Sequence, residues 1–143
     1  MSTPSPLEAL QRTLAAEHAS IFVLGALGGR ASTLSSEPLR SSLTTAYDVH
    51  LQRRDRLRVL VRSAGAVPVA AEPAYRLPSR LTTAAQIKAE ALRVERGCAT
   101  TYAALVAATA GADRRWAVEA LVATAVGEAA FGGRPEALPG LDT

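Results

Sequence analysis

The chain is poor in the residues that would build a disulfide scaffold, an all-β fold or a membrane anchor. It has one cysteine, one methionine, one tryptophan and only 4% aromatic residues among 143. A lone Cys98 cannot form an intramolecular disulfide and fits a reducing compartment. The scarcity of aromatic residues argues against a sandwich or barrel, whose strands need β-branched and aromatic side chains. No apolar run approaches about 18 residues without a charge, so no membrane span is expected. Met1 to Pro6 is polar and uncharged, lacking the basic start and apolar stretch of a signal peptide, and the expected location is the cytoplasm. The net charge of +3 is small and there is no basic tail, so nucleic acid is not an expected partner. There is also no Ser-His-Asp arrangement with local context, no glycine-rich phosphate loop and no Cys-x-x-Cys.

What the chain does have is alanine, about a fifth of all residues, which favours closely packed helices. An all-α single domain spanning 1–143 is the expected class. Ser5, Pro6 and Glu8 form a helix start with a capping box, and Thr83 and Gln86 have the same spacing. With glycines as stops, helices are expected at about 6–28, 37–64, 83–110 and 113–131, followed by a loose tail over 132–143. Residues 65–82 contain Pro68, Pro73 and Pro78 and cannot be helical throughout. Extended, they reach roughly 55 Å, enough to cross a bundle of helices about 35 to 40 Å long. The expected architecture is a four-helix bundle of two antiparallel hairpins joined by one long crossover.

The segment Leu14 to Leu27 repeats as Leu92 to Leu105 at an offset of 78 residues, which carries Glu17 onto Glu95 and His50 onto Glu128. Each helix thereby places one ionisable group on an otherwise apolar stripe. Glu17 interrupts Leu7, Leu10, Leu14, Ile21 and Leu24, and His50 lies between Leu43 and Leu57. Glu95 accompanies Ala91, Cys98, Tyr102 and Leu105, and Glu128 accompanies Leu121, Thr124 and Phe131. Buried carboxylates cost several kcal/mol unless paired or bound to a cation, so these positions need a partner. Glu90 and Glu119 fit the stripes less well and are expected to reach solvent.

With His50-x-x-Arg53-Arg54-Asp55 on the second helix, the chain resembles the ferritin-like superfamily, in particular a bacterial branch of ferritin-like domains of unknown function. The resemblance covers all four helices. In metal-binding members the first and third helices each give one glutamate and the others each give Glu-x-x-His, six ligands for two irons. By that resemblance Glu17, Glu95 and Glu128 stand at glutamate positions. The remainder departs from it, since His50 replaces a glutamate, and Arg53 and Phe131 replace histidines. Phenylalanine cannot ligate, and arginine stays protonated and repels a cation. Arg53 or Arg54 is expected to supply positive charge instead, by a forked contact to the carboxylates beside a protonated His50.

The leading expectation is therefore a non-catalytic, metal-free binding or interaction module without a cofactor, its polar centre made by Glu17, His50, Arg53, Arg54, Glu95 and Glu128. The alternative is an iron- or manganese-binding oxidoreductase or metal-handling protein with a reduced ligand set, Glu17, His50, Glu95 and Glu128. Haem held by a helical methionine is not expected, because the only methionine is Met1. His18 is read as a surface or interface residue, and Cys98 as a small core residue. Arg54, Arg58 and Arg62, with Arg56 nearby, read as a solvated face, with phosphate binding as the sharper alternative. The expected partners are a second copy, packed through the first two helices, and a small ligand sheltered by Val67, Val69 and Tyr75 of the crossover.

Overall fold

The computed structural model describes residues 3–34 and 36–141. Four helices follow in order: α1 (Pro6–Ala31), α2 (Glu37–Ser63), α3 (Ala84–Ala108) and α4 (Gly111–Ala130). Among the described residues there is no strand. No helix among the described residues is long and apolar enough to cross a membrane.

Local chemistry sets the helix starts. The Ser5 hydroxyl accepts from the Glu8 backbone N–H, and the Glu8 carboxylate accepts from the Ser5 N–H. Thr83 and Gln86 make the same reciprocal pair at α3. Such a box satisfies two backbone donors that a bare helix end leaves unpaired. By contrast α2 and α4 begin without a side-chain cap among the described residues. Helix α4 starts at Gly111, two residues before the expected position, because the chain leaves α3 in an extended conformation at Thr109 and Ala110 and turns directly into the next helix. At the end of α2, Gly65 takes φ +80° and Ala66 N–H reaches back to Val61 O at 3.2 Å, closing the helix where only glycine is unstrained.

Packing follows the inward stripes. Helix α1 lies against both α2 and α3, and α3 lies against α4, while α2 touches α3 and α4 far less. One apolar cluster joins Val23, Leu24 and Leu27 of α1 to Leu39 and Leu43 of α2, Ile87 and Ala91 of α3, and Phe131 just after α4. The late part of α1 thus meets the early parts of α2 and α3, so both run antiparallel to it. The second cluster joins Leu10 and Leu14 to Leu57, Val61, Tyr102, Leu105 and Ala117. Leu14, Leu27, Leu57 and Leu105 are completely buried, each worth about 1.5–3 kcal/mol of apolar burial.

The segment between α2 and α3 is strapped to α1. The Gln11 amide donates to Val67 O at 2.7 Å and accepts from Val69 N–H at 2.8 Å. Farther along, His18 Nε2 lies 3.0 Å from Val69 O, and the rings of Phe22 and Tyr75 are 5.4 Å apart. The crossover therefore travels along α1 from its N-terminal third towards its C-terminal end, where α3 begins. His18, read as a surface or interface residue, is half-buried beneath this strap.

The segment after α4 is less free than expected from its glycines and prolines. Gly140, at φ +76°, approaches α3 so closely that an added Cβ would lie 2.2 Å from Ala99 O. Residues 132–141 fold back towards α3 because this position has no side chain; 142 and 143 lie outside the described residues.

Candidate functional site

Between the two apolar clusters lies a layer of polar side chains, because each inward stripe changes character at the same height. On α1 it is Glu17, above Leu14; on α2, His50, between Leu43 and Leu57; on α3, Glu95, between Ala91 and Cys98. Glu17 and His50 are fully buried, and Glu95 is 3% exposed.

His50 is the hub. Its Nδ1 lies 2.5 Å from Glu17 Oε2, and its Nε2 lies 3.2 Å from Glu95 Oε1. The other Glu17 oxygen accepts from the Tyr102 hydroxyl at 2.7 Å. Burial pulls the imidazole pKa down, but contacts with the Cys98 sulfur and the Glu17 and Glu95 carboxylates outweigh it and push the value up to about 12. His50 is therefore an imidazolium at neutral pH, donating from both nitrogens. Tyr102 keeps its proton because burial and the adjacent Glu17 both raise its pKa.

Cys98 adjoins this hub. Ser20 donates its hydroxyl proton to Ala16 O at 2.8 Å, which leaves the Cys98 thiol as donor in the 3.1 Å contact between Sγ and Ser20 Oγ. Burial, followed by the charge of Glu17, raises the thiol pKa, so Cys98 is a buried thiol rather than a thiolate. Ser20 and Cys98 are separated by the same 78 residues as Glu17 and Glu95. Equivalent positions of the two repeats thus meet across the contact between α1 and α3. Glu17, His50 and Cys98 bring a carboxylate oxygen, an imidazole nitrogen and the sulfur within 4.8 Å of one another.

Arginine takes a different place from the one expected. Arg53 is buried, 6% exposed, but does not fork onto the carboxylates. Its Nη2 donates to Ala120 O at 3.1 Å, its guanidinium lies 5.3 Å from the centroid of the Tyr102 ring, and Nη1 has no partner among the described residues. One turn of helix beyond His50, its side chain is carried towards α4 rather than into the space between Glu17 and Glu95. Arg54 lies outside the centre altogether: it points to the surface and pairs with Asp55 at 2.9 Å, as Arg58 does more loosely at 3.9 Å.

Glu128 is 3% exposed but makes no contact with His50, its Oε2 facing Arg96 Nε at 3.6 Å and its Oε1 without a partner among the described residues. Burial and then the neighbouring Glu136 raise its pKa, against the opposing pull of Arg96. Glu90 is a correction of a different kind. Expected in solvent, it is 7% exposed, because Arg93 one turn along α3 folds over it and donates to both carboxylate oxygens. Glu119 is exposed. The polar residues that stripe reading passed over are Tyr102 and Ser20. A tyrosine on a fully buried stripe needs a hydroxyl partner, and the repeat pairs Ser20 with Cys98, so both carried a signal.

Residues 9–143 match the profile of a family described as Domain of unknown function (DUF4439). The fold is similar to the crystal structure of a conserved hypothetical protein, Rv2844, from Mycobacterium tuberculosis, with a TM-score of 0.80 and 31% sequence identity over 89% of this chain and 87% of that one. No curated protein matches.

Proposed function

The chain belongs to the DUF4439 family, and from that premise we propose that it is a metal-free, non-catalytic ferritin-like module for binding or interaction, its polar centre a hydrogen-bonded ion network. The observation that carries this reading is His50 with a carboxylate against each ring nitrogen. A doubly protonated imidazole has no lone pair to offer a metal. Charge supports the same reading. Glu17 and Glu95 face one imidazolium, and the Arg53 guanidinium behind Tyr102 contributes a second positive charge, so these four groups approach neutrality without an added cation, while the other buried carboxylates, Glu90 and Glu128, face Arg93 and Arg96.

The ferritin-like assignment rests on two antiparallel hairpins, a long connection between α2 and α3, and a polar layer at mid-bundle. A dinuclear iron centre does not fit these side chains. Arg53 is a permanent cation bonded to a carbonyl, and Phe131 is packed in the apolar core. The alternative, a single iron or manganese on the reduced set Glu17, His50, Glu95 and Glu128, has one observation in its favour, the close approach of Glu17, His50 and Cys98. It requires His50 to shed a proton, and Glu128 is engaged with Arg96.

Pairing of two copies belongs to the same proposal. Because the crossover lies along α1, the exposed row Val118, Val122 and Val126 on α4 offers a better apolar face than α1 and α2. Metal analysis tests the central reading. Protein purified without chelator should carry less than about a tenth of an equivalent of iron or manganese per chain, and added metal should leave the melting temperature unchanged. Near-stoichiometric metal that is lost in Glu17→Ala would overturn it.

A further inference from the structure

The weak contact between α2 and α4 leaves a groove of about 440 Å³ beside the polar layer, within the size range of small-molecule sites. Its walls are Val49 and Gln52 on α2 and Trp116, Ala120 and Ala123 on α4, and two arginines, Arg53 and Arg56, line it with no acidic residue among them. The groove exists because α4 presents alanines where a larger side chain would have closed the gap. Trp116 is half-buried there, held edge-on to Tyr102 at 5.8 Å between ring centroids, and offers a flat apolar surface.

Arg53 makes this more than a gap between helices. It is 94% buried, makes one hydrogen bond to Ala120 O, has no acidic ion-pair partner among the described residues, and leaves Nη1 unsatisfied. Buried guanidinium donors are costly to leave unmade, and a carboxylate matches their fork. Arg56 is exposed and likewise has no acidic partner among the described residues. We propose that the groove between α2 and α4 binds a small aromatic carboxylate, its charge on Arg53 and Arg56 and its ring against Trp116. Inorganic phosphate would satisfy the arginines but leave the valine, alanine and indole walls unused. The proposal deepens the binding-module reading by naming a ligand class. It stands at a different place from the His50 centre, so its failure leaves the metal analysis intact.

Trp116 is the only tryptophan of the chain, so its indole N–H gives a single, unambiguous NMR resonance. Titration of the full chain with benzoate at low salt should shift that resonance saturably, with half-saturation below about 2 mM. Benzyl alcohol, the uncharged counterpart, should give no saturable shift over the same range, and inorganic phosphate, which meets only the arginines, should bind at least tenfold more weakly than benzoate. Arg53→Lys keeps the charge but loses the fork and should weaken benzoate at least fivefold. Ala123→Phe changes an exposed position and fills the groove without touching Arg53; it should abolish the response in a protein that melts as the parent does. The proposal is overturned if benzoate gives no saturable shift, if benzyl alcohol or phosphate binds as well, or if either variant binds benzoate like the parent.

Discussion

Raising the pH from about 6.5 to about 8 should destabilise this fold by about 1.5 kcal/mol through one residue, a value set by linkage between protonation and folding. The cause is His50. In the unfolded chain its imidazole loses the proton near the ordinary value of 6.5, whereas in the folded protein burial is outweighed by Cys98, Glu17 and Glu95 and the value stands at about 12. A group whose folded pKa is raised contributes stability that is fully present below the unfolded value and lost as pH rises towards the folded one. Between those limits folding takes up one proton, and each pH unit costs about 1.4 kcal/mol once the unfolded imidazole is mostly neutral. For a domain of this size the loss corresponds to a fall of about 5 °C in melting temperature. Stopping near pH 8 keeps the Cys98 thiol of the unfolded chain largely protonated, so it adds little. The assay is urea unfolding at several pH values, for the parent and for a triple variant, Glu17→Gln, His50→Gln and Glu95→Gln, which replaces the imidazolium and both carboxylates that face it by neutral side chains of similar shape. The parent should lose stability with pH and the variant should be nearly flat. Equal slopes in the two proteins would refute the charged-histidine account.

Tyr102→Phe should cost about 1.5–3 kcal/mol in urea unfolding, because it strips a buried carboxylate oxygen of its only hydroxyl donor; a loss below about half a kcal/mol would show that water replaces the hydroxyl freely. Glu128→Gln should raise stability at pH 7, since the raised pKa means that the folded protein disfavours the charged form there; a clear loss would assign the Arg96 contact a larger value than its geometry suggests. Ser5→Ala should cost about 1 kcal/mol by opening the α1 capping box, measured by thermal unfolding. Gly140→Ala should release the C-terminal segment from α3, seen as faster amide exchange over 132–141 with the melting temperature little changed.

The parts of this structure legible in the sequence are those decided by local chemistry or strict period. The boxes at Ser5–Glu8 and Thr83–Gln86 involve residues three apart, so their spacing alone predicts them. Glu17, His50 and Glu95 sit in stripes of three-and-four spacing, and their common height follows from helix geometry. Arg53 and Arg54 are adjacent and chemically identical, and the sequence could not tell which would be buried or what it would meet. That was settled by the open space towards α4 and the buried Ala120 carbonyl that faces Arg53 across it, both tertiary features. Glu90 was misjudged because a carboxylate can be covered by its own helix, through Arg93, without facing the core. The docking of Gly140 on α3 depends on a close approach that loop composition does not encode.

The central claim is that a doubly protonated His50 takes the place of a metal. Nitrogen NMR of the imidazole at pH 8, with the signal assigned through His18→Gln, tests it directly. The account predicts two nitrogen-bound protons on His50, both slow to exchange, in protein with or without prior chelator treatment. A neutral ring with one bare nitrogen, or a nitrogen shifted by bound metal that chelator removes, would contradict it.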